Sequence, residues 1–211
     1  MNKLVNYLLK NDNFPILFSF KDFEKIGYKK IEFDKCVSEG IAEKYIDCVY
    51  NDIYTVDVKY RKTVIPQGVL AQMIVPDSYI SMYYVLCDYN WIPEMVFSIT
   101  SITKGNDCLI DTSRYGTYIY TNVYKELSVA GIYNDEKEGY RIAKPLRALC
   151  DLMYFMKKEW ISIDSLYEVL RIDKYSLEET LSSKDFDELQ GAFGIKSIEK
   201  FLEGIRKELK L

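Results

Sequence analysis

The stretch Tyr140-Arg-Ile-Ala-Lys-Pro-Leu-Arg-Ala-Leu-Cys-Asp-Leu-Met-Tyr-Phe155 decides how the second half of this chain folds. Its first residues are typical of a β-strand. Pro145 stands where a helix can begin, because proline lacks the N–H that the first helical position cannot use. The helix that follows is apolar almost all the way round, so other elements must wrap it. Its thin polar line holds Arg147 and Asp151, four residues apart, which predicts either a structural ion pair or a buried interaction site.

Composition bounds the class of protein. The chain has 211 residues, of which 48% are hydrophobic and 28% charged, with a net charge of -4. This profile is typical of a soluble globular protein with one large or two small domains. The negative charge argues against a protein that coats nucleic acid, although a local basic patch is compatible with it. No apolar run approaches the ~20 residues of a membrane span and no signal peptide is recognised, so we expect a cytoplasmic protein without a membrane partner.

Residue types that carry catalysis are scarce. The chain contains no histidine, which removes the usual general base and the commonest metal ligand. A glycine-rich phosphate loop and a Gly-x-Ser-x-Gly motif are also absent from the sequence. Its five cysteines form no Cys-x-x-Cys pair, which predicts reduced, buried thiols; they are Cys36, Cys48, Cys87, Cys108 and Cys150. We therefore expect no catalytic residue, no metal and no cofactor.

Residues 1–62 predict three short helices followed by a two-stranded hairpin, which is the order of a winged helix-turn-helix. The third helix is expected over Lys30–Glu39, with Gly40 as its stop. The hydrophobic period then changes to two between Ile46 and Tyr50, with Cys48 on the inward side. A turn brings the second strand of the hairpin back.

The third helix is the one that would enter the major groove of DNA. The candidate contacts to phosphates or bases are Lys29, Lys30, Lys35 and Lys44, the last in the first strand of the wing. Residues 1–62 contain 11 Lys+Arg against 10 Asp+Glu, a net charge of +1. A phosphate contact needs a cation that no carboxylate neutralises, so two interpretations stay open. The unit binds DNA, or the same fold serves protein contact.

The remainder of the chain predicts a linker helix over residues 63–75 and a larger domain over residues 76–211. Ser81 is a candidate N-cap for the helix after it, and three β-rich runs follow. Beyond the apolar helix come three shorter helical stretches. The fold class is therefore expected to be α+β, with a winged helix-turn-helix followed by a mixed α/β C-terminal domain that contains an antiparallel sheet and several helices.

These segments together resemble the AbiEi antitoxin family of bacterial type IV toxin–antitoxin systems, which act in abortive infection and phage defence. The matching segments are Pro76-Asp-Ser-Tyr-Ile-Ser81, Ile92-Pro93-Glu94, Ser98-Ile-Thr-Ser-Ile-Thr103, Gly116-Thr-Tyr-Ile-Tyr120 and Ile142-Ala-x-Pro-x-Arg-Ala-Leu-x-Asp-Leu-x-Tyr154. The last of them is the most specific. At the start of its helix the family usually has Pro-Glu-Lys-Ala, whereas this chain has Pro145-Leu-Arg-Ala148.

The resemblance implies an antitoxin and transcriptional regulator. Its N-terminal winged helix would bind operator DNA and repress its own operon, and its C-terminal domain would counter a nucleotidyltransferase-type toxin without assumed direct contact. Arg147 and Asp151 would organise the C-terminal domain, and the oligomeric state stays open. Two alternatives remain. The chain could be an interaction protein whose winged helix does not bind DNA, or an enzyme that uses Arg147 and Asp151.

Overall fold

The computed structural model describes residues 2–11, 14–124, 126, 128–137, 139–158, 162–172 and 174–211. The described residues form a mixed α+β structure with ten helices and two β-sheets. The first elements are α1 (Lys3–Lys10), β1 (Leu17–Phe18), α2 (Phe20–Glu24), α3 (Lys30–Ala42), β2 (Ile46–Tyr50) and β3 (Ile53–Val56). They are followed by α4 (Gln67–Ile74), β4 (Tyr79–Ile80), α5 (Tyr83–Asp88), β5 (Ile99–Ile102), β6 (Cys108–Asp111), β7 (Thr117–Thr121), β8 (Ile132–Asn134) and β9 (Arg141–Ala143). The last helices are α6 (Pro145–Met156), α7 (Ile163–Leu170), α8 (Lys174–Thr180), α9 (Ser183–Leu189) and α10 (Lys196–Leu209).

Helices α1 to α3 pack on one face of a three-stranded sheet with the order β1-β3-β2. The core between them is aromatic, since Phe18, Phe23 and Phe33 are fully buried. Their rings meet in pairs, with centroids 5.6 Å apart for Phe18 and Phe23 and 5.3 Å apart for Phe23 and Phe33. Strand β1 was not predicted, because two residues are too short to show an alternation.

The opposite face of this small sheet packs on the rest of the molecule. Leu17, Val49 and Ile53 belong to the larger hydrophobic core, which contains the residues of the second sheet and its helices. A polar contact adds to the apolar one, because the hydroxyl of Tyr115 donates to Oδ2 of Asp47 over 2.7 Å. The first part of the chain is therefore docked through its sheet onto the second part.

Gly40 does not end α3, contrary to the prediction, and the helix continues to Ala42. The reason for a glycine here is space. A Cβ on Gly40 would lie 2.6 Å from Cδ1 of Ile46 and 3.3 Å from Cγ2 of Val5. The residue lets α3 approach α1 and β2 closely.

The prediction for Cys48 was wrong. The register of β2 against β3 shifts between Cys48 and Tyr50, so Val49 points into the core and Cys48 is exposed. Cys108 is also exposed because it lies in the edge strand β6, whereas Cys36 and Cys150 are buried. All five thiols are free.

The second sheet has six strands in the order β6-β7-β5-β4-β9-β8. It is mixed and not antiparallel as predicted, because β5 pairs with β7 and β4 pairs with β9 in parallel. The β6–β7 hairpin folds so that β7, and not β6, lies beside β5. Strand spacing along the chain gives no information on this choice of neighbour.

Helices cover both faces of the second sheet. On one face lies α4, whose Ala71 carbonyl accepts a hydrogen bond from the hydroxyl of Tyr120 over 2.7 Å. On the other face α5 packs against α6, in which every residue from Pro145 to Met153 is buried.

Four helices follow α6 where three were predicted, because Ser182 and Asp185 form a capping box that begins α9. Within the described residues, no helix combines the length and the apolar character needed to cross a membrane.

Candidate functional site

The exposed face of α3 is the first candidate site. The helix turns Phe33, Cys36, Val37 and Gly40 towards the core. Residues at spacings of three and four share a helix face, so the outermost line lies opposite this buried row. That line consists of Ile31, Lys35, Ser38 and Ala42, and all four are exposed. Ile31 is 86% exposed, which is unusual for an isoleucine in a helix.

The acidic residues of α3 lie beside this line and not on it. Glu32 and Glu39, seven residues apart, follow one flank of the helix, and Glu32 is 3.7 Å from the ammonium of Lys3. On the other flank Asp34 pairs with Lys30 over 3.0 Å. The hydrogen bond to Asp34 raises the pKa of Lys30. The outermost line of α3 therefore carries one cation and no carboxylate.

The four predicted lysines differ in how available they are. Lys30 is neutralised by Asp34, and its ammonium lies 5.3 Å from the ring centre of Phe20. In contrast, Lys29, Lys35 and Lys44 are exposed and form no ion pair with any residue in the described part of the chain. Lys29 precedes the first turn of α3, and Lys35 lies on its outermost line.

Lys44 does not lie in the first strand of the hairpin, as was predicted, but in the turn before it. Its φ of 59° is left-handed, because the chain reverses direction as it leaves α3. The N–H of Tyr45 then donates to the carbonyl of Gly40 over 2.8 Å and closes the turn. Lys29 and Lys44 thus stand at the two ends of a 13-residue helix, roughly 20 Å apart along its axis.

The second candidate site is the pair Arg147 and Asp151, which the structure places at the centre of a buried network. Nε of Arg147 donates to Oδ1 of Asp151 over 2.9 Å, and both side chains have an exposure of 0%. Asp151 accepts three further bonds, from the hydroxyls of Tyr79 (2.9 Å), Ser81 (2.6 Å) and Tyr124 (2.7 Å). Its two oxygens therefore have all the partners that a carboxylate can use.

The guanidinium of Arg147 is satisfied in the same way. It donates to the carbonyls of Ser128 (3.1 Å) and Ala130 (2.8 Å) and to the hydroxyl of Tyr79 (2.8 Å). Its carbon lies 4.6 Å from the ring centre of Phe193, which adds a cation–π contact. Burial is the largest single influence on the pKa of Arg147 and lowers it, but the charge of Asp151 and the contacts with Tyr79 and Tyr124 together outweigh burial, so the net shift is upward. The guanidinium therefore stays charged.

This network closes the fold and offers no reaction site. It joins the end of β4 to α6, two segments about 70 residues apart in sequence. Ser81 was expected to cap the next helix, but its hydroxyl is used by Asp151. Thr100 does the capping instead, since its Oγ1 accepts from the N–H of Tyr84 over 3.1 Å. A substrate has no access to Asp151, because the carboxylate is sealed from solvent.

The sequence did not reveal Tyr124 and Phe193 as members of the network. Both lie outside regular elements, where no period indicates which way a side chain points. Burial and the hydrogen bond to Asp151 raise the pKa of Tyr124, burial being the larger cause. The only available signal was chemical, since a buried carboxylate needs several donors.

Within the part of the chain that is described, no group of three or more His, Cys, Asp or Glu side chains is placed to hold a metal ion. Comparison of the sequence with protein-family models gives no match, and comparison with curated proteins gives none either.

Proposed function

We propose that this protein is an antitoxin of the AbiEi type and that its N-terminal part is a DNA-binding winged helix-turn-helix. The order α1-β1-α2-α3-β2-β3, with helices on one face of a three-stranded sheet, supports the winged-helix assignment. The β2–β3 hairpin would be the wing. Residues 1–62 would then be the reading domain, residues 63–75 the connection and residues 76–211 the antitoxin domain.

The observation that carries the DNA-binding proposal is the sorting of charge on α3. Its outermost line presents Ile31, Lys35 and Ser38 without a carboxylate among them. A lysine can donate to guanine, a serine can bond to any base edge, and an aliphatic group can pack on a thymine methyl. Lys29 and Lys44 would contact phosphates at the two ends of the helix. The net charge of the reading domain is close to zero, but the surface that a duplex would contact, the outermost line of α3 with Lys29 and Lys44, is positively charged.

The antitoxin assignment is supported by the buried network. The two segments that carry the resemblance most clearly, residues 76–81 and 142–154, are the ones that supply Tyr79, Ser81, Arg147 and Asp151. The resemblance and the buried network therefore fall on the same residues of this chain. In this proposal Arg147 and Asp151 are positioning residues that hold β4 against α6, and the protein acts without catalysis.

A binding experiment tests the DNA role. The full chain is titrated into a fluorescent duplex from the region upstream of its own gene, and into a shuffled duplex of equal composition, over a series of salt concentrations. We expect tighter binding to the upstream duplex and an affinity that falls as salt rises, because counterions are released from phosphates. Equal binding to both duplexes, or none, rules out an operator-binding role.

The antitoxin role needs a separate test, because it does not depend on DNA. The chain is co-expressed with the open reading frame beside its gene, and survival of the cells is measured. Rescue from a toxic nucleotidyltransferase is expected for the full chain and for a variant in which Lys29 and Lys35 are replaced by alanine. If the neighbouring frame is harmless, or if the chain gives no rescue, the antitoxin proposal is wrong.

Protein contact by α3 is the second candidate function. Ile31 is 86% exposed, and Ile26 (46%) and Ile41 (40%) are also exposed on or beside this helix. Aliphatic side chains in such a group are typical of protein interfaces as well as of thymine contacts. The duplex titration distinguishes the two, because a protein-binding face gives no salt-dependent DNA affinity.

A further inference from the structure

A cleft of about 650 Å³ opens between the end of β7, the C-terminal end of α6 and the start of α10. This size falls within the range of roughly 300–1,000 Å³ that is typical of small-molecule sites. The cleft is outside the buried network and is distinct from the face of α3.

One part of the lining is aromatic. Tyr154 and Phe155 are consecutive in α6; Tyr154 is half-buried, whereas Phe155 is 47% exposed. The ring of Tyr154 is held rigid by stacking on Tyr124, with ring centres 5.1 Å apart and an interplanar angle of 7°. Tyr124 is in turn fixed by its bond to Asp151. Rigid aromatic side chains of this kind bind flat rings at low entropic cost.

A second part of the lining is cationic. Lys157 and Lys158 follow the last turn of α6, and both border the cleft. Neither forms an ion pair within the described residues, and both are exposed. A cation near a helix C-terminus is favourable in any protein, because it complements the partial negative charge of the helix end. Two free ammonium groups at the mouth of an aromatic cleft are also the donors that a phosphate group uses.

The third part of the lining is a fixed set of acceptors. The amide nitrogen of Asn122 donates to the carbonyls of Lys104 (3.0 Å) and Gly105 (2.8 Å), so both of its hydrogens are used. The backbone N–H of Asn122 donates to Oδ1 of Asp107 over 2.6 Å. Among the described residues, no hydrogen bond is formed to Oδ1 of Asn122 or to Oδ2 of Asp107, so both oxygens can accept bonds from a ligand. The hydroxyls of a sugar or the N–H groups of a base are suitable donors.

We propose that this cleft binds a nucleotide. The base lies against Tyr154 and Phe155, the phosphate is bound by Lys157 and Lys158, and the sugar or base donates to Asn122. The same chemistry is offered by a free nucleotide and by the 5′-phosphorylated end of a nucleic acid strand. The inference does not depend on DNA binding by α3.

Calorimetric titration of the full chain tests the proposal. The ligands are the four nucleoside monophosphates, a 5′-phosphorylated trinucleotide, a nucleoside without phosphate and ribose 5-phosphate without a base. We expect at least one nucleotide ligand to bind at one site per chain with a Kd tighter than about 1 mM. The nucleoside and ribose 5-phosphate are each expected to bind at least about tenfold more weakly, because each lacks one of the two contacts. Tighter binding of the trinucleotide than of the monophosphates identifies a strand end as the ligand, and the reverse identifies a free nucleotide.

Variants locate the binding. K157E/K158E reverses the two cations at the cleft, and S197Y fills it from the start of α10 without a change of charge. Both are expected to raise the Kd at least about tenfold, because each removes one group of contacts between the ligand and the cleft. K184E/K207E changes charge equally on exposed lysines that do not line the cleft and is expected to leave the Kd unchanged. The proposal is overturned if no nucleotide ligand binds, if ribose 5-phosphate binds as tightly as a nucleotide, or if K157E/K158E binds as the unaltered chain does.

Discussion

The buried polar contacts converge on the carboxylate of Asp151, which accepts four hydrogen bonds, one of them from the guanidinium of Arg147 over 2.9 Å. We predict that Asp151→Asn lowers the free energy of unfolding by about 3–5 kcal/mol, because Arg147 then stays buried without a counter-charge. The NH₂ group of the new asparagine also cannot accept a hydrogen bond, although the four groups around position 151 all donate. Chemical denaturation followed by circular dichroism measures the loss.

A matched control is the exposed ion pair of Arg171 with Glu94, two side chains that remain largely in solvent. Arg171→Met is expected to change the free energy of unfolding by only about 0–1 kcal/mol. The two variants remove the same kind of pair in different surroundings. A loss below about 1 kcal/mol for Asp151→Asn would contradict the structural role given to the network.

At Gly40 the limiting quantity is space. Gly40→Ala is expected to lower the free energy of unfolding by about 1–3 kcal/mol, because the new methyl group overlaps Cδ1 of Ile46. Ile46→Val removes that Cδ1 atom and alone costs about 0.5–1.5 kcal/mol. The double variant is therefore expected to be more stable than the sum of the two losses implies. Strict additivity in denaturation experiments would show that the two residues do not compete for this space.

Among the elements, α3 allows affinity and sequence discrimination to be separated. Lys29→Ala and Lys44→Ala are each expected to weaken binding to every duplex and to lower the slope of log K against log salt by about 1. Ser38→Ala is expected to act differently, with a loss of discrimination of about 1–3 kcal/mol at one base pair. Fluorescence anisotropy with a set of single-base variants of the duplex measures both effects.

The control for this series lies in the same helix. Lys30 already pairs with Asp34, so Lys30→Ala removes little positive charge that a phosphate could use. Its effect on the salt slope is expected to be smaller than that of Lys29→Ala. If Lys30→Ala costs as much affinity as Lys29→Ala, then the sorting of charge on α3 does not govern DNA binding.

The elements also show how far a sequence can be interpreted without coordinates. Helix α6 was predicted from Pro145 and its apolar pattern, because a helix of 12 residues repeats its period several times. Strand β1 has two residues and shows no period. The parallel pairing of β5 with β7 depends on which strands become neighbours, and this is decided by the packing of whole faces and not by local pattern.

The candidate sites could likewise be predicted from the sequence only in part. The four lysines and the spacing of Arg147 and Asp151 are visible in the sequence, because charge and spacing are local properties. That Asp34 neutralises Lys30, whereas Lys35 forms no ion pair among the described residues, depends on side-chain geometry. The partners Tyr79 and Tyr124 come from segments distant in sequence, so only the folded chain brings them to Asp151.

In the whole molecule the small sheet separates two environments. Its one face carries α1 to α3, and its other face packs through Leu17, Val49 and Ile53 on the larger core. The outermost line of α3 consequently points away from the rest of the chain and is open to a large partner. Asp47, which binds Tyr115 and Arg114, fixes this arrangement at the edge of the contact.

The buried tyrosines should make the free energy of unfolding depend on pH. Burial raises the pKa of Tyr79, Tyr118, Tyr120 and Tyr124, and burial together with the hydrogen bond to Asp47 raises the pKa of Tyr115 to about 12. The folded state therefore holds these phenol protons more tightly than the unfolded state, where the pKa is about 10. Their contribution to stability is complete below about pH 10 and is lost as the pH rises towards the pKa values of the folded state.

We predict that the free energy of unfolding falls steeply above about pH 10, and that Tyr115→Phe reduces the fall, since a phenylalanine cannot ionise. Denaturation curves at several alkaline pH values measure this, and ultraviolet absorbance follows the phenolates. Titration of all tyrosines near pH 10 in a chain that stays folded would contradict the burial on which the prediction rests.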